Sequence, residues 1–451
     1  MIIVLYEVSV LGMGRNNKAS RTGIYHYIRN LAKALAKEGQ VKVIPVCLSY
    51  AHLSLATQEC LEHGLDISLL TQQQSRLAAI LKYPISLSTS LATKLGNRKT
   101  NKFFITIYAA KALLAFNAKL TSAVQSRFRE RTIDNIGKVY NFHAGPCVLH
   151  ETYRDHGFTH ARIKSLPDTP RCITIYDTIP IKFPDYFSPE ASLEFESFIN
   201  KLTVCDQIIA ISDCTKNDLL DAIRLKPKRP VVVTPLAVDT RFKPVRPSEW
   251  SPQAVQLLQQ FDLLKSPFIL SVATLEPRKN IPNLLKAFSV AKPSLPYGTK
   301  LVLVGTKGWE QTDLDKLAES LDIESSIVFT GYLEDESLPS LLSAASVFCY
   351  PSLYEGFGLP VLEAMSCGCP VVTSNTSSLG KFFSTSSISV DPTNIQEIAT
   401  AIITILNNPG LADELRASGF KQSSTLTWSN LAKITISAYK QAISPLACWT
   451  A

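Results

Sequence analysis

Short, nearly unbroken apolar runs recur along the chain, each followed by glycine or polar residues and then by apolar residues at helical spacing. Ile2–Leu5, Cys172–Ile175, Ile208–Ile211, Val231–Val233, Phe268–Val272, Leu301–Val304, Ile327–Phe329 and Ser346–Tyr350 are such runs. Runs of this length without strict alternation suit strands covered on both faces. The stretches between them predict helices: one from Thr22 to about Lys37 with Thr22 as N-cap, one opened by Ser212 or Asp213 and reaching Leu220, and an amphipathic one from Trp428 to Ile443. Ser9 to Arg21, with Gly12, Gly14 and three basic residues, is expected to be the loop after the first strand. Strand alternating with helix in this way is the plan of an α/β fold with parallel sheets.

One unit carries the most chemistry. After the strand at Ser346–Tyr350, Pro360 stands where a first helical turn accepts proline, Gly368 closes the helix, and Val371-Val372 begins another strand. Ligands of parallel sheets gather at the strand C-terminal edge, where loop N–H groups and helix N-termini present partial positive charge. Here that edge is Glu355-Gly356-Phe357-Gly358-Leu359. Glu355 in the loop and Glu363, expected in the first helical turn, are two acceptor-only carboxylates able to flank a sugar or a ribose diol. A plainer alternative stays open, with Glu363 complementing the helix dipole and Glu355 solvated.

Other runs end in comparable residues. Arg278 and Lys279, in the loop after Phe268–Val272, could neutralise a diphosphate, arginine through its fork and lysine as a point charge, or could be ordinary surface bases. Gly23 would let a ligand approach a helix N-terminus closely. His150, just after Val148-Leu149, is the candidate cleft histidine, the alternative being a structural one. Tyr176 and Asp177 follow Cys172–Ile175 in the same way. Asp313-Leu-Asp315 has the spacing of an Asp-x-Asp metal motif, but at the start of a helical pattern it reads as a cap, and no metal is expected.

Length adds a division to this picture. A chain of 451 residues is too long for one ordinary core, and Pro244, Pro247 and Pro252 punctuate a connection at 236–265. The expected domains are therefore 1–235 and 266–425, with a terminal helix, 426–451, returning to the first. With 46% hydrophobic and 19% charged residues the chain should fold, and its ten cysteines, with no CxxC pair, read as buried thiols of a reducing compartment. The first residues form a strand rather than a secretory leader, and no stretch reaches the roughly 18–20 apolar residues of a membrane span, so a cytoplasmic protein is expected.

Charge matters through its distribution. The chain carries +8 overall, yet residues 76–131 hold eleven lysines and arginines against the single acid Glu130. Between these charges run Phe103–Tyr108 and Ala112–Phe116, apolar and of helical character. A basic amphipathic segment fits an anionic membrane surface on the cytoplasmic side, or a solvated face packed on the first domain. No nucleic-acid motif accompanies it, so no nucleic acid is expected as partner.

Glu355 and Glu363, seven residues between them, embedded in Glu-Gly-Phe-Gly-Leu-Pro-x-Leu-Glu-Ala-Met, closely resemble the donor-site signature of the family-4 glycosyltransferases. The resemblance extends in pieces over most of the chain, most strongly in its C-terminal half. It implies the GT-B fold, two Rossmann-like domains facing across a cleft, and a retaining hexosyltransferase acting on a nucleotide-sugar donor. Thr274-Leu-Glu-Pro-Arg-Lys-Asn280 resembles the family's phosphate-binding segment, which implies that Thr274, Arg278 and Lys279 contact the diphosphate, as Gly23 would. The same resemblance puts the base beside Tyr332 and Leu333, the sugar against Glu355 and the N–H groups of Gly356, Phe357, Gly358 and Leu359, and the ribose on Glu363. Tyr176-Asp177-Thr-Ile-Pro180 resembles the family's His-Asp-x-x-Pro segment on the acceptor side, with tyrosine where histidine is common. Ala273 likewise stands where many members have glycine, implying a less close backbone approach. The loop at 274–280 is most similar to mannosyltransferase members, implying GDP-mannose ahead of UDP-sugars as donor and a glycan or lipid-linked glycan as acceptor. Other readings are a sugar phosphorylase, a nucleotide-sugar epimerase, or a silent scaffold in polysaccharide assembly.

Overall fold

The computed structural model describes residues 1–16, 23–47, 53–68, 70, 71, 73, 146–152, 169–224, 226–305 and 314–445. Thr22, the basic segment 76–131 and Asp313 lie outside them.

Among the described residues the strands form two parallel six-stranded sheets. The first contains β1 (Ile2–Glu7), β2 (Val41–Val46), β3 (Cys147–Glu151), β4 (Arg171–Ile175), β5 (Gln207–Ala210) and β6 (Val232–Val233), in the order β2-β1-β3-β4-β5-β6. β1 lies between β2 (Ile2 opposite Val41) and β3 (Tyr6 opposite His150), and all six of its residues are buried, so both of its faces are covered. That is why its apolar run shows no alternation. The second sheet contains β7 (Phe268–Val272), β8 (Lys300–Val304), β9 (Ile327–Gly331), β10 (Val347–Tyr350), β11 (Val371–Ser374) and β12 (Ile388–Val390), in the order β12-β11-β10-β7-β8-β9. Its core joins Ile269, Leu301, Val347 and Val372 of the strands to Leu284 and Phe288 of the helix Ile281–Ala291 and Ile398 and Ile402 of the helix Ile395–Asn407.

The second order matters for function. The chain winds outward from β7 through β8 and β9 on one side and through β10, β11 and β12 on the other, so β7 and β10 are neighbours whose following loops diverge. This is a topological switch point, where open α/β sheets take ligands.

The chain divides into two compact units: Met1–Ile173 with Val204–Gln207 and Ile436–Ala451, and Thr174–Thr203 with Ile208–Thr435. Residues 174–203 and 208–235 thus fall within the second of these units. The terminal helix runs over Trp428–Ile443, as its amphipathic pattern predicts. No helix among the described residues is long and apolar enough to cross a membrane. Nine cysteines among these residues are free and buried, consistent with use as small apolar side chains.

Two expectations need correction. Ser9–Asn16 is a helix, not a loop. Val10 and Leu11 are buried, and the Glu7 carboxylate accepts the Ser9 N–H at 2.6 Å, so burial and a cap outweigh the two glycines. Glu363 lies not in the first turn of its helix but one turn further in, because the helix spans Leu359–Ser366.

Candidate functional site

The loops after β7 and β10 build the site. After β7 the chain makes a short 3-10 turn, Pro277–Lys279, ended by Asn280 in the left-handed conformation at φ 60°. Asparagine tolerates that conformation, and here its Nδ2 donates to the carbonyls of Pro351 at 3.0 Å and Pro392 at 2.6 Å. The turn is thereby tied to the loop after β10, whose Leu353 N–H donates to the Arg278 carbonyl at 2.9 Å.

That stitching brings Arg278 and Lys279 onto Glu355. Lys279 Nζ lies 2.6 Å from Glu355 Oε1 and donates to the Tyr350 hydroxyl at 2.8 Å. Tyr350 and Ser352 donate to the same Oε1 at 2.9 and 2.7 Å, while Arg278 Nη1 is 2.8 Å from Oε2. Arg278 also donates to the Tyr354 carbonyl at 2.6 Å and pairs with Glu276 at 2.5 Å. Burial pushes the Glu355 carboxyl up, but Lys279 and Arg278 outweigh it and hold the group at about 2. Burial lowers Lys279, and Glu355 opposes that shift; for Arg278 burial is overcome by Glu355 and Glu276, which push it up. Asp177 lies near enough to feel Arg278, Glu355 and Lys279; burial raises its carboxyl, whose Oδ1 accepts the Ile179 N–H at 3.1 Å. Two fixed cations beside carboxylates at a switch point can hold an anion and stabilise negative charge that grows on it.

Hydroxyls from the end of β11 and the segment after it hold the Glu355 loop in shape. Ser374 donates to the Ser352 carbonyl (2.6 Å) and Thr376 to Leu353 (3.1 Å), while the one O–H of Ser378 lies within reach of the carbonyls of Glu355 (2.7 Å) and Phe357 (2.8 Å). Ser377 Oγ accepts the Glu355 N–H at 3.1 Å. Gly356 must be glycine, since a Cβ there would lie 2.1 Å from the Tyr176 carbonyl oxygen; its own carbonyl accepts from Ser212 at 2.5 Å and Thr215 at 3.2 Å. Gly358, at φ 115°, starts the helix Leu359–Ser366 in a conformation that side chains rarely adopt. Phe357 is buried against Phe382 and Phe383.

Of the expected site residues, the structure thus gathers Arg278, Lys279, Glu355 and Asp177 into one cluster, with Tyr176 packed on Gly356. Glu363 is half-buried beside a second polar group in which Arg241 pairs with Asp239 (3.5 Å) and Asp335 (3.4 Å). Burial raises its carboxyl to about 8, Arg241 opposes the shift, and Asp335 and Asp239 add to it. Thr274 and Tyr332 are exposed, and Leu333 is buried. Gly23 opens the helix Gly23–Lys37 of the first unit. His150 is a correction: it has no exposed surface, its ring meets Tyr6 and Tyr439 edge-on, its Nδ1 is 2.7 Å from the Tyr439 hydroxyl, and burial drives its pKa to about 3. A ring so enclosed is a core element, not a proton carrier. Tyr350, Ser352 and the Thr376–Ser378 hydroxyls were not forecast; the run of threonines and serines right after β11 was the one signal, and it served Thr376–Ser378 alone.

Comparison with known proteins agrees with this geometry. Residues 258–422, which hold the Arg278, Lys279 and Glu355 cluster, match the family model of glycosyl transferases group 1. The chain is 34% identical over 272 residues to the O-antigen chain mannosyltransferase B of Escherichia coli, covering 60% of this chain and 70% of that protein. It is 31% identical over 269 residues to an E. coli serotype-specific mannosyltransferase WbdA, covering 58% of this chain but only 32% of that longer protein. In fold it is similar to Anabaena Alr3699/HepE, solved in complex with UDP, with a TM-score of 0.64 over 98% of this chain and all of that one, at 16% identity. With two parallel six-stranded sheets and this site at the switch point of the second, the chain belongs to the group 1 glycosyl transferases of GT-B fold.

Proposed function

We propose that the protein transfers mannose, with retention of configuration and without a metal, from GDP-mannose to a hydroxyl of a glycan or lipid-linked glycan at the cytoplasmic face of a membrane. The observation that carries this reading is the Arg278–Lys279 pair held against Glu355 at the ends of β7 and β10. Breaking a bond to a nucleoside diphosphate builds negative charge on the leaving phosphate, and fixed cations aimed at that charge supply the largest kind of catalytic stabilisation. Arg278 and Lys279 do this here, Glu355 and the Gly356–Gly358 backbone grip the sugar, and Glu363 holds the ribose. The leaving phosphate takes the acceptor proton, a role in which buried His150 has no part.

Mannose is supported by the mannosyltransferase names of the relatives, GDP by the likeness of the 274–280 loop to mannosyltransferases, and the acceptor by the O-antigen relative. UDP-sugars are the competing donors, supported by the UDP complex of the Anabaena protein. The basic segment 76–131 would rest on anionic lipid and bring the cleft to an anchored acceptor. A panel of GDP- and UDP-sugars with a lipid-linked glycan, with and without EDTA, tests the reading. Mannosyl transfer from GDP-mannose with retained anomeric configuration, insensitive to EDTA, is expected. Turnover with UDP-sugars alone overturns the donor, loss of turnover in EDTA overturns metal independence, and failure to bind anionic vesicles at low salt removes the membrane contact.

A further inference from the structure

The cations assigned to the diphosphate are not idle: both are already paired with one carboxylate. Lys279 Nζ lies 2.6 Å from Glu355 Oε1 and Arg278 Nη1 lies 2.8 Å from Oε2, so a single side chain bridges the pair. Glu355 is held there by Tyr350 and Ser352, which both donate to Oε1, while its backbone N–H is fixed on Ser377. Its charge is therefore permanent and anchored within one hydrogen bond of the groups a phosphate would reach. Among the described residues Lys279 spends two of its three N–H donors on Tyr350 and Glu355, which leaves one for an incoming anion.

We propose that Glu355 discriminates the sugar-bearing donor from the free nucleoside diphosphate product, acting as a built-in competing anion that weakens product binding and hastens its release. This rests on the proposed reading of the site as one for a nucleotide-sugar donor. A phosphate bound by Lys279 and Arg278 sits within a few ångströms of the Glu355 carboxylate, and like charges at that separation in a partly buried site repel appreciably. With a sugar attached, its hydroxyls donate to Glu355 and offset the repulsion. Once the sugar has left, the repulsion stands uncompensated, and Lys279 and Arg278 are better served by the carboxylate than by the departing phosphate. Specificity here is a difference between two affinities obtained by penalising the wrong partner.

The test measures binding of GDP, UDP and inorganic pyrophosphate to the full chain by calorimetry, for wild type, Glu355→Gln and Glu355→Asp. Gln keeps the shape and removes the charge. It should bind its product nucleotide and pyrophosphate at least about tenfold more tightly, towards the lower end of what one like charge about 4 Å away exerts between water-like and surface screening. Asp keeps the charge and should bind no more tightly than wild type. Ligand-induced rises in Tm, each referenced to the variant's own baseline, give the same comparison for a less stable form, and Glu355→Ala is a second neutral variant should Gln fold poorly. Product affinity unchanged or weaker in the neutral variants overturns the inference alone, as does equal tightening in Asp. Binding of neither GDP nor UDP by any form overturns the donor reading and this inference with it.

Discussion

His150 offers a quantitative test of the first unit. Its ring is wholly buried between Tyr6 and Tyr439, and burial lowers its pKa from 6.5 to about 3. Below pH 6.5 the unfolded chain binds a proton that the folded ring refuses, so stability is present above that pH and is lost progressively as pH falls towards 3. Between pH 7 and pH 5 the unfolded state gains a protonation advantage of about 2 kcal/mol from this one group, from the reference pKa and the linkage relation. His150→Gln removes the titrating group while leaving a partner for the Tyr439 hydroxyl, so its own cost is the same at both pH values. Urea unfolding of both proteins at pH 7 and pH 5 should show wild type losing about 2 kcal/mol more than the variant over that interval, or about 4–8 °C in Tm for a unit of this size. Other titrating groups contribute equally to both proteins and cancel. Identical pH dependence in wild type and variant would falsify the account of His150 as a ring held neutral by burial.

Further outcomes follow from the site. Glu363→Ala should raise the donor KM about tenfold with kcat largely kept, whereas the Arg278→Ala, Lys279→Ala double variant should lose kcat by roughly 100-fold or more, since its charges act on bond cleavage; wild-type turnover in the double variant rejects that assignment. Gly356→Ala drives a Cβ to 2.1 Å from the Tyr176 carbonyl oxygen and should cost about 1–3 kcal/mol along with most of the activity, as a melting curve and a turnover assay would report. Glu363 is raised to about 8, so its folded form is neutral and its stabilisation, present at low pH, is lost as pH rises from 4.5 through 8. Glu363→Gln should therefore flatten a fall of up to roughly 3 kcal/mol between pH 4.5 and 7, and an unchanged pH profile in the variant counts against it.

How much of this was legible in the chain follows from the range of the forces involved. Strand positions such as Phe268–Val272 and the extent of the helix Trp428–Ile443 were readable because burial on a sheet or helix face imposes a local period on the residues themselves. The carboxylates and cations at 278, 279 and 355 were readable as types at strand ends, and their motif pointed to the family. Their meeting was not, because Lys279 and Glu355 stand far apart in sequence and are joined only by the adjacency of β7 and β10. The same holds for Tyr350 and Ser378, whose roles are hydroxyl contacts that leave no period behind. His150 shows the converse error: one histidine after an apolar run looks alike at a cleft edge and in a core, and only the packing of Tyr6 and Tyr439 around it decides. Local patterning determined which segments are strands and helices and which residues end them; charge pairing, burial and pKa were decided by tertiary structure, because they depend on what the fold brings within a few ångströms.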